Sequence, residues 1–147
     1  MDTPPDDPAL LRWAESRPRE VTGDPLWKLA AYRHAAYIAW LARDDAQTVA
    51  ADVVCKAVAG QLLTSATSVA ANIAESYGRP TNTDRLRFLS YALGSVREAL
   101  MWYEAAASAL GAEAVADRLA RLSRARRILL GLINRVRGRR SHPIDGW

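Results

Sequence analysis

One apolar pattern constrains the fold of this 147-residue chain more than any other feature. It runs from residue 86 to residue 110, where apolar side chains recur at alternating steps of three and four: Leu86, Leu89, Leu93, Val96, Leu100, Tyr103, Ala107 and Leu110. This spacing places them on one face of an α-helix, and it is the heptad pattern by which helices pack together. A second seam lies beside it, at Phe88, Ala92, Ser95, Ala99, Trp102, Ala106 and Ala109. A helix with two adjacent seams contacts more than one neighbour, so the chain is predicted to be all-α.

Three other segments have a helical pattern of apolar residues. The first is predicted to begin at Asp24-Pro25, because aspartate caps helices and proline suits the first turn. The second is predicted to end at Tyr77, before Gly78 and a proline. The cap signal TNTD precedes the helix with two seams, and Gly111 stops it. The four predicted helices span about 24–43, 47–77, 85–110 and 113–136. Short links between them predict an antiparallel up-and-down four-helix bundle over residues 24–138.

The two flanks differ from the predicted bundle in composition. Residues 1–23 hold four prolines and many charges, and they are predicted to be a flexible acidic arm. Residues 139–147 lose the helical pattern and are predicted to be a basic tail. The uncharged run 57–74 is interrupted by polar residues, so it predicts a buried helix and no membrane span. A cytoplasmic protein is expected, since the single cysteine forms no internal disulfide.

The charge of the chain is concentrated at its C-terminal end. Net charge is +4, and nine arginines fall between residues 118 and 140, where there is no acid. Such a basic end predicts an anionic partner. Solvated charge on an exposed helix face is the alternative, and the sequence leaves both open.

The sequence carries only weak signals for catalysis or metal binding. A di-iron bundle needs Glu-x-x-His pairs, and the chain has none, so no metal or other cofactor is expected. Cys55 and His34 are each interpreted as packed within helices rather than as a nucleophile with its base. No phosphate loop or Gly-x-Ser-x-Gly elbow is present.

Two polar residues stand out in the alanine-rich stretch SVAANIAESYGR, residues 68–79. Asn72 and Glu75 lack a neighbouring nucleophile or base, so a structural role is favoured over catalysis. A polar side chain between helices is costly unless it is paired, and it therefore penalises incorrect registers. Glu75 also lies four residues before Arg79, a spacing that allows an ion pair.

The stretch TSATSVAANIAESYGR, followed by DRLRFLSYALGSVREAL, resembles the four-helix-bundle proteins of the ribosomal-RNA intervening-sequence family. Members of that family carry a Ser…Asn-Ile-Ala-Glu…Gly-Arg block on the second helix and a Phe-Leu…Ala-x-Gly-Ser-x-x-Glu block on the third. The matching positions with a structural role here are Ser68, Asn72, Glu75, Gly78, Arg79, Gly94, Ser95 and Glu98. The resemblance implies a homopentamer of four-helix bundles without enzyme activity. A related branch, the accessory proteins of diversity-generating retroelements, binds a reverse transcriptase and nucleic acid.

Three functions follow as hypotheses. The first is a non-enzymatic oligomeric scaffold that binds nucleic acid, with RNA as a candidate target, at low sequence specificity. Its predicted binding residues are Arg118, Arg121, Arg124, Arg127, Arg135, Arg137, Arg139 and Arg140. The second is a protein-interaction adaptor, such as an accessory subunit of a reverse transcriptase, in which the arginines dock on an acidic protein surface or on the acidic arm of a neighbouring subunit. The third is an enzyme with a site between subunits around Glu75 and Glu98.

Overall fold

The computed structural model describes residues 6–138, and all regular secondary structure in that range is helical. The α-helices are α1 (Pro8–Glu15), α2 (Arg19–Thr22), α3 (Ala30–Ala51), α4 (Ala59–Tyr77), α5 (Asn82–Ala105), α6 (Ala107–Leu110) and α7 (Ala112–Gly138). Two 3-10 turns, Pro25–Lys28 and Lys56–Val58, precede α3 and α4. The prediction of an all-α chain is confirmed. The predicted tail, residues 139–147, lies outside the described residues.

The four long helices share one apolar core. α4 packs against both α3 and α5, and α7 packs against both α5 and α3. The core contains at least one fully buried residue from each of them, including Ile38, Leu62, Leu89 and Leu129. The predicted seam of α5 supplies Leu89, Val96 and Tyr103, which are 0% exposed. Within residues 6–138, no helix is both long enough and apolar enough to cross a bilayer.

The boundary between the first two long helices was predicted wrongly. The expected break near residues 44–46 is absent, because Asp45 lies on the buried face of α3 and is 8% exposed. The break falls instead at Asp52, whose side chain accepts hydrogen bonds from the backbone N–H groups of Val54 and Cys55 at 2.9 and 2.8 Å. An aspartate that binds the backbone just ahead of it competes with the helical hydrogen bonds and ends the helix.

The predicted caps are present, although one of them begins a different element. Thr81 Oγ1 accepts a hydrogen bond from the Asp84 N–H at 3.1 Å and caps α5. Gly111, with φ of 89°, separates α6 from α7 and has the left-handed conformation that favours glycine. Asp24 caps the 3-10 turn Pro25–Lys28, and α3 begins only at Ala30.

The N-terminal segment, residues 6–23, is ordered where a loose arm was expected. Asp7 caps α1 and Pro8 occupies its first position, so the proline favours the helix instead of preventing it. Leu10 is 1% exposed. The Trp13 ring lies 5.8 Å from Trp27 and 5.1 Å from Tyr37, so α1 is attached to the start of α3 by aromatic packing.

Candidate nucleic-acid interface

Four arginines of α7 wind around the helix from the core to the surface. Arg118, Arg121, Arg124 and Arg127 follow one another at steps of three, and each step falls about 60° short of a full turn. The exposed fractions of the first three side chains are 17%, 19% and 33%, and the fourth residue is exposed. The regular spacing in the sequence therefore does not produce one arginine face.

Arg118 is held inside the protein by two aspartates. Its Nε donates to Asp45 Oδ2 at 2.7 Å and its Nη2 to Asp45 Oδ1 at 3.2 Å, while a third donor contacts Asp117. The Tyr103 hydroxyl also donates to Asp45 Oδ2, at 2.8 Å. Burial and the Asp45 charge raise the pKa of Tyr103 well above its usual value, so the phenol stays protonated. Burial opposes the charge of Arg118, but the bonds to Asp45 outweigh it and raise the pKa of the guanidinium.

Arg121 is paired on both sides. Its Nε donates to Asp117 at 2.9 Å and its Nη1 to Asp7 Oδ2 at 2.8 Å. The other oxygen, Asp7 Oδ1, accepts from the backbone N–H groups of Ala9 and Leu10 at 3.0 and 3.1 Å. Burial acts to raise the pKa of Asp7, but the helix N–H groups and the guanidinium outweigh it and lower that pKa.

Arg124 is less firmly held and lies at a groove. Its Nη1 is 3.9 Å from Asp7 Oδ2, beyond hydrogen-bond distance. The groove has a volume of about 360 Å³ and is lined by Asp7, His34, Asp117, Ala120, Arg121, Arg124 and Arg127. His34 is 4% exposed, and its Nε2 lies 3.0 Å from Asp6 Oδ1. Burial lowers the pKa of His34 despite the nearby Asp6 carboxylate, so the imidazole is neutral near pH 7.

The arginines with free side chains lie farther along α7. Arg127, Arg135 and Arg137 are exposed, and none of them forms an ion pair with another described residue. Residues 118–138 contain no acid. We call these three residues the distal basic surface. Arg139 and Arg140 belong to the same predicted set and lie outside the described residues.

The family-motif residues of α4 make their contacts locally. Asn72 Nδ2 donates to the Ser68 carbonyl oxygen at 2.9 Å, within the same helix. Glu75 pairs with Arg79, and the Arg79 guanidinium lies 4.6 Å from the centre of the Phe88 ring on α5. The expected role of Asn72 between helices is therefore not seen within one chain, whereas Glu75 and Arg79 do connect α4 to α5. Gly78 caps α4.

The motif residues of α5 lie on an outward-facing stripe. Five exposed residues follow one another at steps of four and three: Arg87, Tyr91, Gly94, Glu98 and Met101. A Cβ atom added at Gly94 would have no other side chain or neighbouring helix within 4 Å. Glu98 Oε1 accepts a hydrogen bond from Trp102 Nε1 at 3.2 Å, and Ser95 is half-buried beside it. We call this stripe the outer face of α5.

The sequence interpretation allowed the acidic arm of a neighbouring subunit to bind the arginines, but it did not identify Asp6, Asp7 and Asp45 as their partners within one chain. Asp45 could have been found, because it continues the steps of four and three made by Ile38, Ala42 and Val49. Asp6 and Asp7 carry no such signal, since their partners are distant in sequence. Among residues 6–138, no group of three His, Cys, Asp or Glu side chains is arranged to hold a metal ion.

Comparison with known proteins gives one family and one related structure. The model of the "23S rRNA-intervening sequence protein" family matches residues 55–129, which include both motif blocks and confirm the resemblance. A crystal structure from Bacteroides thetaiotaomicron, described as a protein of unknown function from the S23 ribosomal protein family, is 19% identical with a TM-score of 0.66. The alignment covers 71% of this chain and 98% of that one, and at this identity it shows the fold alone. No curated protein matches the chain.

Proposed function

Because this chain belongs to the 23S rRNA-intervening sequence protein family, we propose that it is a non-enzymatic oligomeric scaffold that binds nucleic acid. The distal basic surface carries this proposal. Its three guanidinium groups are exposed, have no acidic partner among residues 6–138, and lie in a stretch of α7 without acids. Arginines in this state bind phosphate with paired N–H donors.

The proposed binding has a defined character. Contacts to phosphate oxygens carry no sequence information, so the scaffold binds with low specificity. Each neutralised phosphate releases condensed counterions, and affinity therefore falls steeply as salt rises. Arg118, which was predicted as a binding residue, contributes to the fold through Asp45 and Asp117, and the proposed binding charge is that of the distal basic surface.

The test compares two sets of three arginine substitutions. The first set, Arg127→Gln, Arg135→Gln and Arg137→Gln, removes the distal basic surface. The control set removes the same charge from other exposed positions, Arg12, Arg19 and Arg43. Binding of single- and double-stranded RNA and DNA is measured by gel shift over a salt series.

We expect the first set to lose at least about tenfold in affinity and its salt slope to fall by about two to three. The control set should remain within about twofold of the wild type. Equal losses of affinity in both sets would show that the distal basic surface is not the nucleic-acid-binding site. Failure of the wild-type protein to retain any nucleic acid near physiological salt would remove the nucleic-acid function itself.

Self-association is the second part of the proposal. In it, α3, α4, α5 and α7 form an antiparallel four-helix bundle, and copies of the bundle join through the outer face of α5. Tyr91 and Met101 on this face are 53% and 47% exposed. Gly94 costs about 0.5–1 kcal/mol relative to alanine in a helix, and no atom of its own chain requires its small size. Close approach of a second subunit would require it. Five is the copy number that the family resemblance implies.

Substitution of Gly94 tests this interface. Gly94→Leu adds a side chain into open space in the single chain, so the fold should persist while the assembly dissociates. Gly131→Leu on α7 is the matched control, because that position is also exposed and open. Mass is measured by light scattering after size-exclusion chromatography. A wild-type mass of 16.1 kDa, that of one chain, would exclude the assembly.

A protein-interaction adaptor is the alternative function. The observation that favours the adaptor is the contact between Asp7 and Arg121, because there an arginine of α7 binds a carboxylate. An acidic surface of a partner, such as a reverse transcriptase, would bind in the same way. Retention of the partner together with absence of nucleic-acid retention in the gel shift would favour this adaptor.

A further inference from the structure

The groove on α7 is already occupied by an anionic group of the same chain. The Asp7 carboxylate comes from the N-terminal segment, which precedes the family-matched residues 55–129. It lies 2.8 Å from Arg121 and 3.9 Å from Arg124. Its neighbour Asp6 binds Arg33 Nε at 2.9 Å and His34 Nε2 at 3.0 Å. Two consecutive acids therefore hold the segment against a basic part of α3 and α7.

Most of the positive charge of this region is offset only while the segment is in place. Asp6 offsets Arg33, and Asp7 is shared by Arg121 and Arg124, with Asp117 as the second partner of Arg121. Arg127 at the edge of the groove has no acidic partner among the described residues. Removal of the two N-terminal acids would leave the groove and its surroundings strongly positive.

The fit of the carboxylate to the groove is incomplete. Asp7 makes a hydrogen bond to Arg121 through one oxygen, because its other oxygen caps α1. The oxygen bonded to Arg121, Oδ2, does not reach Arg124, and the Arg124 guanidinium has no hydrogen bond to any described residue. A phosphate group is larger, and its several oxygens can accept from more than one guanidinium at once.

We propose that the groove between Arg121, Arg124 and Arg127 is a phosphate-binding site, and that Asp7 of the N-terminal segment occupies it until a phosphate displaces the carboxylate. The ligand is a polyphosphate or the phosphate backbone of a nucleic acid. If it is a nucleic acid, this inference extends the proposed function and rests on it. The N-terminal segment then lowers the apparent affinity, because only the fraction of molecules with a vacated groove binds.

The substitution Asp7→Asn separates the two roles of this residue. Asparagine is as good an N-cap as aspartate, so α1 keeps its first hydrogen bonds. The charge that pairs with Arg121 and Arg124 is lost. Asp44→Asn is the matched control, since Asp44 is an exposed aspartate whose ion partner, Arg43, lies on the surface of α3. Asp7→Ser, which also preserves a capping group, repeats the test with a second side chain.

Inorganic tripolyphosphate is the probe, and its binding is measured by titration calorimetry at low salt. We expect Asp7→Asn and Asp7→Ser to bind it about fivefold tighter than the wild type or more. Asp44→Asn should bind it like the wild type. Adding Arg124→Gln to Asp7→Asn should abolish the gain, whereas adding Arg12→Gln, an exposed arginine of α1, should not.

Equal affinities of the Asp7→Asn and Asp44→Asn proteins would overturn the inference, as would a gain that survives Arg124→Gln. Arg127 belongs to both the groove and the distal basic surface, but the variants at Asp7 and Arg124 leave all three arginines of the distal basic surface in place, so the two tests can fail separately. If tripolyphosphate binds as expected and no nucleic acid is retained, the groove stands and the nucleic-acid function fails. If nucleic acid binds and Asp7→Asn has no effect on tripolyphosphate, the function stands and the groove fails.

Discussion

Three aspartates determine how much of the positive charge on α7 reaches solvent. Asp45 and Asp117 hold Arg118, while Asp117 and Asp7 hold Arg121. Asp45 belongs to α3, Asp117 to α7 itself and Asp7 to the cap of α1. Paired guanidinium groups of this kind, mostly removed from water, act as connections between elements rather than as surface charge.

Asp45→Asn is expected to destabilise the fold strongly. The substitution leaves Arg118 without its main partner in a buried position, which costs about 3–5 kcal/mol in comparable pairs. Asp44→Asn, at the adjacent exposed position, should change the free energy of unfolding by less than about 0.5 kcal/mol. Urea denaturation followed by circular dichroism measures both. Similar midpoints for the two variants would show that the Asp45 network does not stabilise the fold.

His34 is expected to make stability fall in mild acid. Burial lowers its pKa in the folded protein below the unfolded value of 6.5, so the unfolded state binds the proton more readily. The contribution is complete above pH 6.5 and is lost as the pH falls toward the folded pKa, with a slope of at most about 1.4 kcal/mol per pH unit.

The urea midpoint of the wild type should therefore fall between pH 7 and pH 5, and His34→Gln should show a flatter dependence there. Asp7 and Asp117 have lowered pKa values, and their contributions disappear only below about pH 3.8, their usual value. A wild-type urea midpoint that rises as the pH is lowered from 7 to 5 would contradict the assignment of His34 as a buried neutral group.

At the level of elements, the N-terminal segment is packed onto the long helices by one side of a short helix. Leu10 on α1 is 1% exposed, whereas its neighbour Leu11 is 49% exposed. The hydrophobic contribution of the segment therefore comes from one leucine together with Trp13. A loose arm would show no difference between the two leucines.

Leu10→Ala is expected to lower the free energy of unfolding by about 2–3 kcal/mol, because it removes buried methyl groups and leaves a cavity. Leu11→Ala removes the same atoms from the surface and should cost less than about 0.5 kcal/mol. Urea denaturation measures the pair, and hydrogen exchange in α1 locates the effect. Equal and negligible costs would support the flexible arm that the sequence predicted.

The elements were predictable where packing dominates and less so where polar contacts do. The seam through Leu89, Val96 and Tyr103 gave the correct buried face of α5 because apolar spacing reflects burial directly. The end of α3 was misplaced, since Asp45 and Asp52 are the same residue type with opposite roles. Asp45 lies within α3 and binds Tyr103 of α5 and Arg118 of α7. Asp52 binds the backbone just after it and ends α3. The contact of Asp52 is between residues close in sequence and could be predicted, whereas the contacts of Asp45 join residues far apart in sequence and could not.

For the whole molecule, the proposed function couples assembly to affinity. One chain presents three free arginines on its distal basic surface, which is a modest site. Several copies joined through the outer face of α5 would present the same site repeatedly. A strand that spans two or more copies gains from effective concentration without any new contact.

Weakening the assembly should therefore weaken binding to long strands only. Tyr91→Ser with Met101→Ser removes the exposed apolar part of the outer face of α5, while Leu130→Ser on α7 is the control at 39% exposure. We expect the double variant to dissociate and to lose about two orders of magnitude in affinity for a long single strand. Its affinity for an oligonucleotide that is short enough to contact only one chain should be unchanged. Light scattering and fluorescence anisotropy report the two quantities, and equal losses for both strand lengths would contradict the coupling.

The aromatic contacts of the N-terminal segment also have an optical consequence. The rings of Trp13, Trp27 and Trp40 lie close together, with Trp13 centred 5.8 Å from Trp27 and 6.3 Å from Trp40. Indoles at such separations couple their electronic transitions, and a fixed arrangement produces a near-ultraviolet dichroism signal. Departure of α1 would remove the contribution of these three rings while far-ultraviolet helicity stayed almost constant. The chain thus carries its own spectroscopic reporter of whether Asp7 is seated among the arginines.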